Sequence, residues 1–124
     1  MTTIASRAHS EPYTWGGDCD GWHLLAAPDL SVIEEQVPPG RGEVRHYHRH
    51  ARQFFYVLSG VASLEVDGDV FELHPREGRE VPPGRPHSLH NNGDEPLCFL
   101  VISTPPSHGD RVSAEHTESA PGGG

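Results

Sequence analysis

Turn-forming residues divide the middle of this chain into short segments, and this spacing limits the folds open to it. Segments rich in β-branched and aromatic side chains alternate with Pro, Gly and Asp turns, including the two-residue hairpin signal Asp67-Gly68. No stretch of about ten residues or more shows the apolar stripe of a helix. We therefore predict an all-β sandwich or jelly roll, built of the segments Trp22–Ala27, Leu30–Val37, Glu43–His48, Gln53–Leu58, Val61–Val66, Asp69–Leu73, Glu80–Val81, Pro86–Asn91 and Pro96–Thr104.

The charge of the chain limits the classes of partner that it can bind. Its 124 residues carry a formal net charge of −9 at pH 7, which argues against nucleic acid and against an anionic membrane surface. All nine basic residues are arginine, so Schiff-base chemistry and lysine general bases are excluded. The 14 glycines and 12 prolines agree with many turns, and the length suits one domain with its own core.

The ends of the chain and its cysteines suggest a location and a domain layout. The N-terminal residues lack the apolar segment of a secretory signal, and no run approaches the ~18 apolar residues of a membrane span. Cys19 and Cys98 lie far apart, which fits two reduced thiols in the cytoplasm. We predict a partly ordered arm over residues 1–21, a barrel over residues 22–106 and a largely disordered tail over residues 107–124.

Two histidines stand two residues apart in a predicted strand. Because side chains alternate between the two faces of a strand, His46 and His48 point to the same side, and Val44 shares it. Gln53 begins the next segment, and His87 stands in a later segment bounded by Pro and Gly. Nitrogen donors from one strand, joined by donors from two others, describe a transition-metal pocket inside a small β-barrel.

Two spaced motifs make the chain resemble a known family. The run Gly40-x5-His46-x-His48-x4-Gln53-x6-Gly60 is similar to the first cupin motif, Gly-x5-His-x-His-x(3–4)-Glu-x6-Gly, with glutamine in place of glutamate. The run Arg76-x5-Pro82-x-Gly84-x2-His87-x3-Asn91 is similar to the second motif, Gly-x5-Pro-x-Gly-x2-His-x3-Asn, with arginine in place of the first glycine. The resemblance covers roughly residues 30–104.

This resemblance implies a double-stranded β-helix (jelly-roll) barrel, often dimeric, with a divalent metal near its mouth. It implies that His46, His48 and His87 are metal ligands and that Gln53 holds the fourth ligand position. The chain looks like the small single-domain cupins (monocupins) of polyketide and sugar pathways. Cupin activities span isomerases, epimerases, dioxygenases, decarboxylases, lyases, polyketide cyclases, seed-storage proteins and ligand-sensing domains, so the family alone limits function weakly.

Gln53 changes the charge of the implied site. Three imidazoles and an amide leave a bound divalent ion with its full double charge, so the site is a stronger Lewis acid and favours an anionic ligand. Mg²⁺ and Ca²⁺ need carboxylates and become poor candidates, whereas Zn²⁺, Ni²⁺, Fe²⁺, Co²⁺ and Mn²⁺ all stay open. The alternative is a barrel that has lost its metal and keeps the three histidines as packed, hydrogen-bonded residues.

The alternation of side chains along each strand also predicts which other residues point into the barrel and which point outward. With Gln53 inward, Phe54, Tyr56 and Leu58 point outward, and we expect both the segment Tyr13–Trp22 and a homodimer interface to cover them. The predicted lining of a substrate pocket consists of Phe55, Val57, Leu89, Phe99, Val101 and Ser103.

Three functions fit these residues. The first is a Lewis-acid enzyme that isomerises, cyclises or dehydrates a small oxygenated or anionic substrate at the metal. The second is an Fe(II) dioxygenase of a substrate chelated through two oxygens, and the third is a non-catalytic ligand-binding cupin. No catalytic residue stands out: Glu34, Glu35 and Glu43 could each enter the pocket, but we expect them to be solvated charges.

Overall fold

Strands form most of the structure. The computed structural model describes residues 4–107 and 109–115, so the predicted disorder beyond residue 115 concerns positions outside the described residues. Within that range no helix has the length and apolar character of a membrane-spanning segment. The elements are a short 3₁₀ turn (Arg7–His9) and strands β1 (Glu11–Trp15), β2 (Cys19–Ala27), β3 (Leu30–Val37), β4 (His46–His48), β5 (Arg52–Ser59), β6 (Ala62–Val66), β7 (Asp69–Leu73), β8 (Gly78–Val81), β9 (His87–His90), β10 (Leu97–Thr104) and β11 (Arg111–Ser113).

These strands form two antiparallel sheets. One has six strands in the order β1-β2-β3-β10-β5-β8, and the other has five in the order β11-β4-β9-β6-β7. The buried apolar side chains of both sheets pack into a core cluster. β10 shows the strict alternation of buried and less buried residues that one inward face produces, as do most strands that contribute to the core. This architecture confirms the predicted all-β jelly roll.

Both ends of the chain contribute a strand. β1 lies within the predicted arm and pairs with β2, and β11 lies within the predicted tail and pairs with β4. β1 contains Pro12, which it tolerates because it is an edge strand and one side of an edge strand makes no ladder bonds. β11 has only three residues, too few to show a pattern.

The outer face of the six-stranded sheet is apolar across several strands. Phe54 lies opposite Ile102 on β10, which lies opposite Val32 on β3, which in turn lies opposite Leu25 on β2. Phe54 and Leu25 remain 39% and 43% exposed. These four side chains therefore form one row, called here the outer row, that the described residues leave open to solvent.

The N-terminal arm covers a different part of this face from the part we expected. The guanidinium of Arg7 lies 4.0 Å from the ring centroid of Trp22 and donates hydrogen bonds to Glu34 and Gln36. These contacts are on β2 and β3, whereas Phe54 and Leu58 on β5 stay exposed. The expectation that Tyr13–Trp22 covers the outer face of β5 is wrong, because this segment forms β1 and the start of β2, which β3 and β10 separate from β5 in the sheet.

Two motif glycines differ in what surrounds them, which gives a test of the packing. Gly40 and Gly60 both have a φ of 81°. An alanine at 40 meets no atom within 4 Å, whereas at 60 its Cβ would stand 2.5 Å from the carbonyl oxygen of Pro96. We expect Gly40→Ala to cost about 1–2 kcal/mol from the left-handed backbone alone.

Gly60→Ala should cost roughly 1–3 kcal/mol more than that, because backbone atoms must move. Urea unfolding of both variants measures the difference, and equal free energies of unfolding would contradict the packing described around Gly60.

Candidate metal centre

Three histidines from two neighbouring strands meet inside the barrel. His46 lies directly opposite His87 in the pairing of β4 with β9, and His48 shares the inward face of β4. All three are buried, at 3%, 5% and 1% exposure. One ring nitrogen from each lies within 4.8 Å of the others, so together they could hold a metal ion. Strand parity thus brings together the three side chains that the sequence singled out.

Backbone carbonyls orient two of these rings. Nδ1 of His46 donates to the carbonyl of Val44 at 2.7 Å, and Nδ1 of His87 donates to the carbonyl of Arg85 at 2.9 Å. A carbonyl oxygen only accepts, so each ring carries its proton on Nδ1 and keeps a lone pair on Nε2. Burial lowers the pKa of His46 to about 3 and that of His48 to about 4, which keeps both imidazoles in the neutral form that binds metals.

Gln53 adds an oxygen with no partner. It is 6% exposed, and its Nε2 donates to Ser103 Oγ at 3.1 Å, which leaves Oε1 buried without a hydrogen bond. Nε2 of His87 and Nδ1 of His48 are also buried without a partner. A metal-free packed site would leave these atoms unpaired at a cost of about 1–3 kcal/mol each. The donors therefore fit a divalent transition metal, and the role of Gln53 as a ligand stays a prediction.

The strand before His46 contains an irregularity that moves Val44 outward. Gly42 lies opposite His90 and the Glu43 amide donates to the Leu89 carbonyl at 2.9 Å, whereas His46 lies opposite His87. One extra residue therefore stands on this side of the ladder, as in a β-bulge. Val44 is 50% exposed, so the prediction that it shares the inward face of the histidines is wrong.

The same irregularity brings a carboxyl group into the interior. Glu43 now shares the inward face with Leu89, and its Oε1 accepts the Leu89 N–H at 3.1 Å. Glu35 lies opposite Phe99 on the inward face of β3, and Tyr13 donates its hydroxyl to Glu35 at 2.6 Å. The expectation of solvated charges is wrong for both glutamates, which are partly buried and face inward. Glu34 points outward and pairs with Arg7.

These two carboxyl groups have raised pKa values. Burial raises the pKa of Glu35 to about 7, against the opposing effects of the Tyr13 hydrogen bond and the Arg111 charge. Burial and the nearby Glu35 raise the pKa of Glu43 to about 8. Near neutral pH each of the two carboxyl groups is therefore partly protonated, so the pair can donate a proton and can also accept one.

A cation that strand patterns in the sequence do not reveal lies at the edge of this site. Arg111 on the edge strand β11 lies directly opposite His48, so the two side chains point to the same side of the sheet. Arg111 is exposed, and its Nη2 donates to the Val44 carbonyl at 3.2 Å. Its charge is among the causes that lower the pKa values of His46 and His48. Because β11 falls inside the predicted tail, only the strand pairing reveals this residue.

The predicted pocket residues all lie inside the barrel. Val57 and Phe55 on β5 lie opposite Phe99 and Val101 on β10, so these residues share one face. The ring centroid of Phe55 is 5.8 Å from that of His87. The six residues are between 0% and 6% exposed: Phe55, Val57, Leu89, Phe99, Val101 and Ser103. Their role in contacting a substrate stays a prediction.

Comparison with known proteins places this geometry in a family. The model of the cupin domain matches residues 33–103, and the chain belongs to the cupin family. Its two sheets are the double-stranded β-helix of that family, as the resemblance implied.

Individual relatives cover parts of the chain. It is 35% identical over 81 residues to an uncharacterized protein of Methanocaldococcus jannaschii, and 35% identical over 67 residues to the polyketide synthase protein CurC of Streptomyces cyaneus. These matches cover 64% and 54% of this chain, and 65% and 44% of the relatives' own lengths. The polyketide cyclase RemF of Streptomyces resistomycificus shares the fold, with a TM-score of 0.79 and 21% identity over 92% of this chain and 86% of RemF.

The buried carboxyl group of Glu43 predicts a pH dependence of stability. Its pKa is about 8 in the folded protein against an ordinary value of 4.5, so the folded state holds a proton that the unfolded state releases between these values. This contribution is fully present below about pH 4.5 and is lost as the pH rises through about 8.

The Glu43→Gln variant should therefore lose less stability than the parent between about pH 5 and about pH 9. Urea unfolding of the metal-free protein at each pH measures this, and Glu95→Gln on an exposed turn is the control. A Glu43→Gln variant whose free energy of unfolding falls with pH as steeply as that of the parent would contradict the raised pKa of Glu43.

Proposed function

We propose that this cupin is a metal-dependent enzyme that isomerises, cyclises or dehydrates a small oxygenated or anionic substrate. The observation that carries this proposal is the set of neutral donors: three imidazoles that could hold a metal, and an amide oxygen buried without a partner. A divalent transition ion bound by His46, His48, His87 and Gln53 would supply a Lewis acid whose charge no ligand side chain offsets.

The charge around the site supports an anionic substrate. Arg111 points to the same side of the sheet as His48 from an edge strand, and its positive charge acts on His46 and His48. A guanidinium is a strong partner for a carboxylate or an enolate oxygen, because its donors are planar and always charged. We therefore assign Arg111 the binding of the substrate's anionic group.

The interior also holds groups that can move a proton. Glu35 and Glu43 have pKa values of about 7 and 8, in the range that favours general acid–base catalysis at neutral pH. The hydroxyl of Tyr13 orients the Glu35 carboxyl. The apolar side chains of Phe55, Val57 and Phe99 would exclude water from a substrate in the barrel. A Lewis acid beside a proton carrier suits chemistry at a carbon next to a carbonyl.

The similarity to CurC and RemF is consistent with this class of reaction. RemF is a polyketide cyclase, and cyclisation is one of the reaction types proposed here. At 21% identity the comparison supports the fold alone, so the proposal names no polyketide substrate.

The first test concerns the metal. Protein purified without chelator should contain about one equivalent of a transition metal by elemental analysis, and His87→Ala should weaken binding by more than about 100-fold, since losing a partner of a ligand alone costs 10–100-fold. His90→Ala, on the exposed face of the same strand, is the control. A parent protein without affinity for Zn²⁺, Ni²⁺, Fe²⁺, Co²⁺ or Mn²⁺ would overturn the proposal.

The second test concerns the reaction. Proton exchange of small 2-oxo and 3-oxo acids in D₂O, followed by NMR, should require the metal and should proceed with redox-inert Zn²⁺. Oxygen consumption that requires Fe²⁺ would favour the dioxygenase instead. Ligand binding without turnover of any probe, together with a His48→Ala variant that loses only stability, would favour the non-catalytic cupin.

We further propose that the protein is a homodimer through the outer row. Leu25, Val32, Ile102 and Phe54 form an apolar surface on four neighbouring strands, and a second copy can cover it by the same surface. Phe54→Asp should convert the dimer to a monomer in light scattering, because it places a charge in the interface. Val70→Asp on the other sheet, where Val70 is 66% exposed, should leave the mass unchanged. A monomeric parent protein would overturn this proposal.

A further inference from the structure

The turn between two predicted ligand positions is held by one carboxylate. β4 ends at His48 and β5 carries Gln53, and the residues between the two strands are Arg49, His50 and Ala51. All three amide groups of this turn donate to the side chain of Asp110. Arg49 donates to Oδ1 at 3.1 Å, and His50 and Ala51 donate to Oδ2 at 2.9 Å each.

Asp110 is itself fixed by the strand that follows it. It immediately precedes β11, whose first residue Arg111 lies opposite His48 in the ladder with β4. A fourth contact runs along the backbone, where the Arg49 amide also approaches the Asp110 carbonyl at 3.4 Å. The carboxylate is therefore tied to the strand that carries His48, and the turn cannot shift without breaking this group of bonds.

These bonds determine where the neighbouring side chains point. Hydrogen bonds from amides to an ionised carboxylate are roughly twice as strong as those between neutral groups, and here one residue accepts three of them. A turn of three residues has few free dihedral angles, so three fixed amides restrict the conformation it can adopt. That conformation sets the relative placement of His48, before the turn, and Gln53, two residues after it.

The opposite side of His48 is held as well. The Gly84 amide donates to the His48 carbonyl at 2.7 Å, and the Arg85 carbonyl accepts the Nδ1 proton of His87. The backbone of His48 thus lies between the turn that leads to His87 and the turn that Asp110 holds. Of these two supports, only Asp110 comes from outside the segment that carries the cupin motifs.

We propose that Asp110 is a positioning residue of the metal site, which holds the 49–51 turn so that His48 and Gln53 face the same ion. This inference rests on the proposed metal function. It gives the C-terminal segment, which lies outside both cupin motifs, a role in metal affinity. Asp110 acts through the backbone and does not itself contact the ion.

The test compares metal affinity in variants of two carboxylates that play the same local role. Asp110→Ala removes all three bonds, and Asp110→Asn keeps one acceptor oxygen and no charge. Glu77→Ala is the matched control, because its carboxylate also accepts an amide of a turn, that of His74 at 2.9 Å, and is exposed. Competition with a chromophoric chelator gives the dissociation constants for Zn²⁺ and Co²⁺, and thermal unfolding gives the stability of each metal-free protein.

We expect Asp110→Ala to weaken metal binding by about 10-fold or more, in the range known for residues that orient ligands, and Asp110→Asn to lie between it and the parent. Glu77→Ala should lower thermal stability without changing either dissociation constant. The visible spectrum of bound Co²⁺ should change in the Asp110 variants, because it reports the arrangement of the ligands. If Asp110→Ala does not fold, Asp110→Asn decides the question alone.

Two results would overturn the inference. One is an affinity within about twofold of the parent in the Asp110 variants. The other is an equal loss of affinity in Glu77→Ala, which would show that general stability alone is responsible. A parent protein that binds neither Zn²⁺ nor Co²⁺ would instead overturn the proposed metal function, so the two failures are distinguishable.

Discussion

The burial of three neutral imidazoles against one another is the constraint on which the centre of this protein depends. A histidine in the interior must remain uncharged and needs a partner for its ring nitrogens, because a charge or an unpaired polar atom there is costly. Backbone carbonyls supply the partner for Nδ1 of His46 and His87, and the Nε2 atom of His87 has none. The pairing of β4 with β9 therefore gathers three neutral histidines that could hold a metal ion.

A second set of polar groups lies in the same interior and gives the site its proposed chemistry. Tyr13, Glu35 and Glu43 come from the side of the barrel formed by β1, β3 and the segment before β4, and Arg111 comes from β11. Burial raises the pKa of both Glu35 and Glu43, and the charge of Glu35 raises that of Glu43 further, while Arg111 opposes both shifts. Two carboxyl groups with raised pKa values thus lie in the same barrel as the neutral donors, with a cation on the edge strand, and the proposed enolate chemistry rests on these groups.

The C-terminal segment links these two sets. Asp110 and Arg111 are neighbours in the chain, yet one holds the turn after His48 and the other lies opposite His48 in the strand ladder. The family match ends at residue 103, before either of them. The roles proposed for Asp110 and Arg111 therefore fall outside the segment that the cupin family model matches.

Much of the fold and the three histidines could be predicted from the sequence, because they depend on local rules. Alternation along a strand places His46 and His48 on one face, and the turn residues divide the chain into strands close to those observed. The inward placement of Gln53 and of the six lining residues follows from the same alternation. Val44 and Glu43 could not be placed, because a single extra residue in the ladder with β9 reverses their faces, and only the partner strand shows it. Arg111 and Tyr13 depend on the pairing of short edge strands, which is determined by tertiary contacts and not by the residues of those strands.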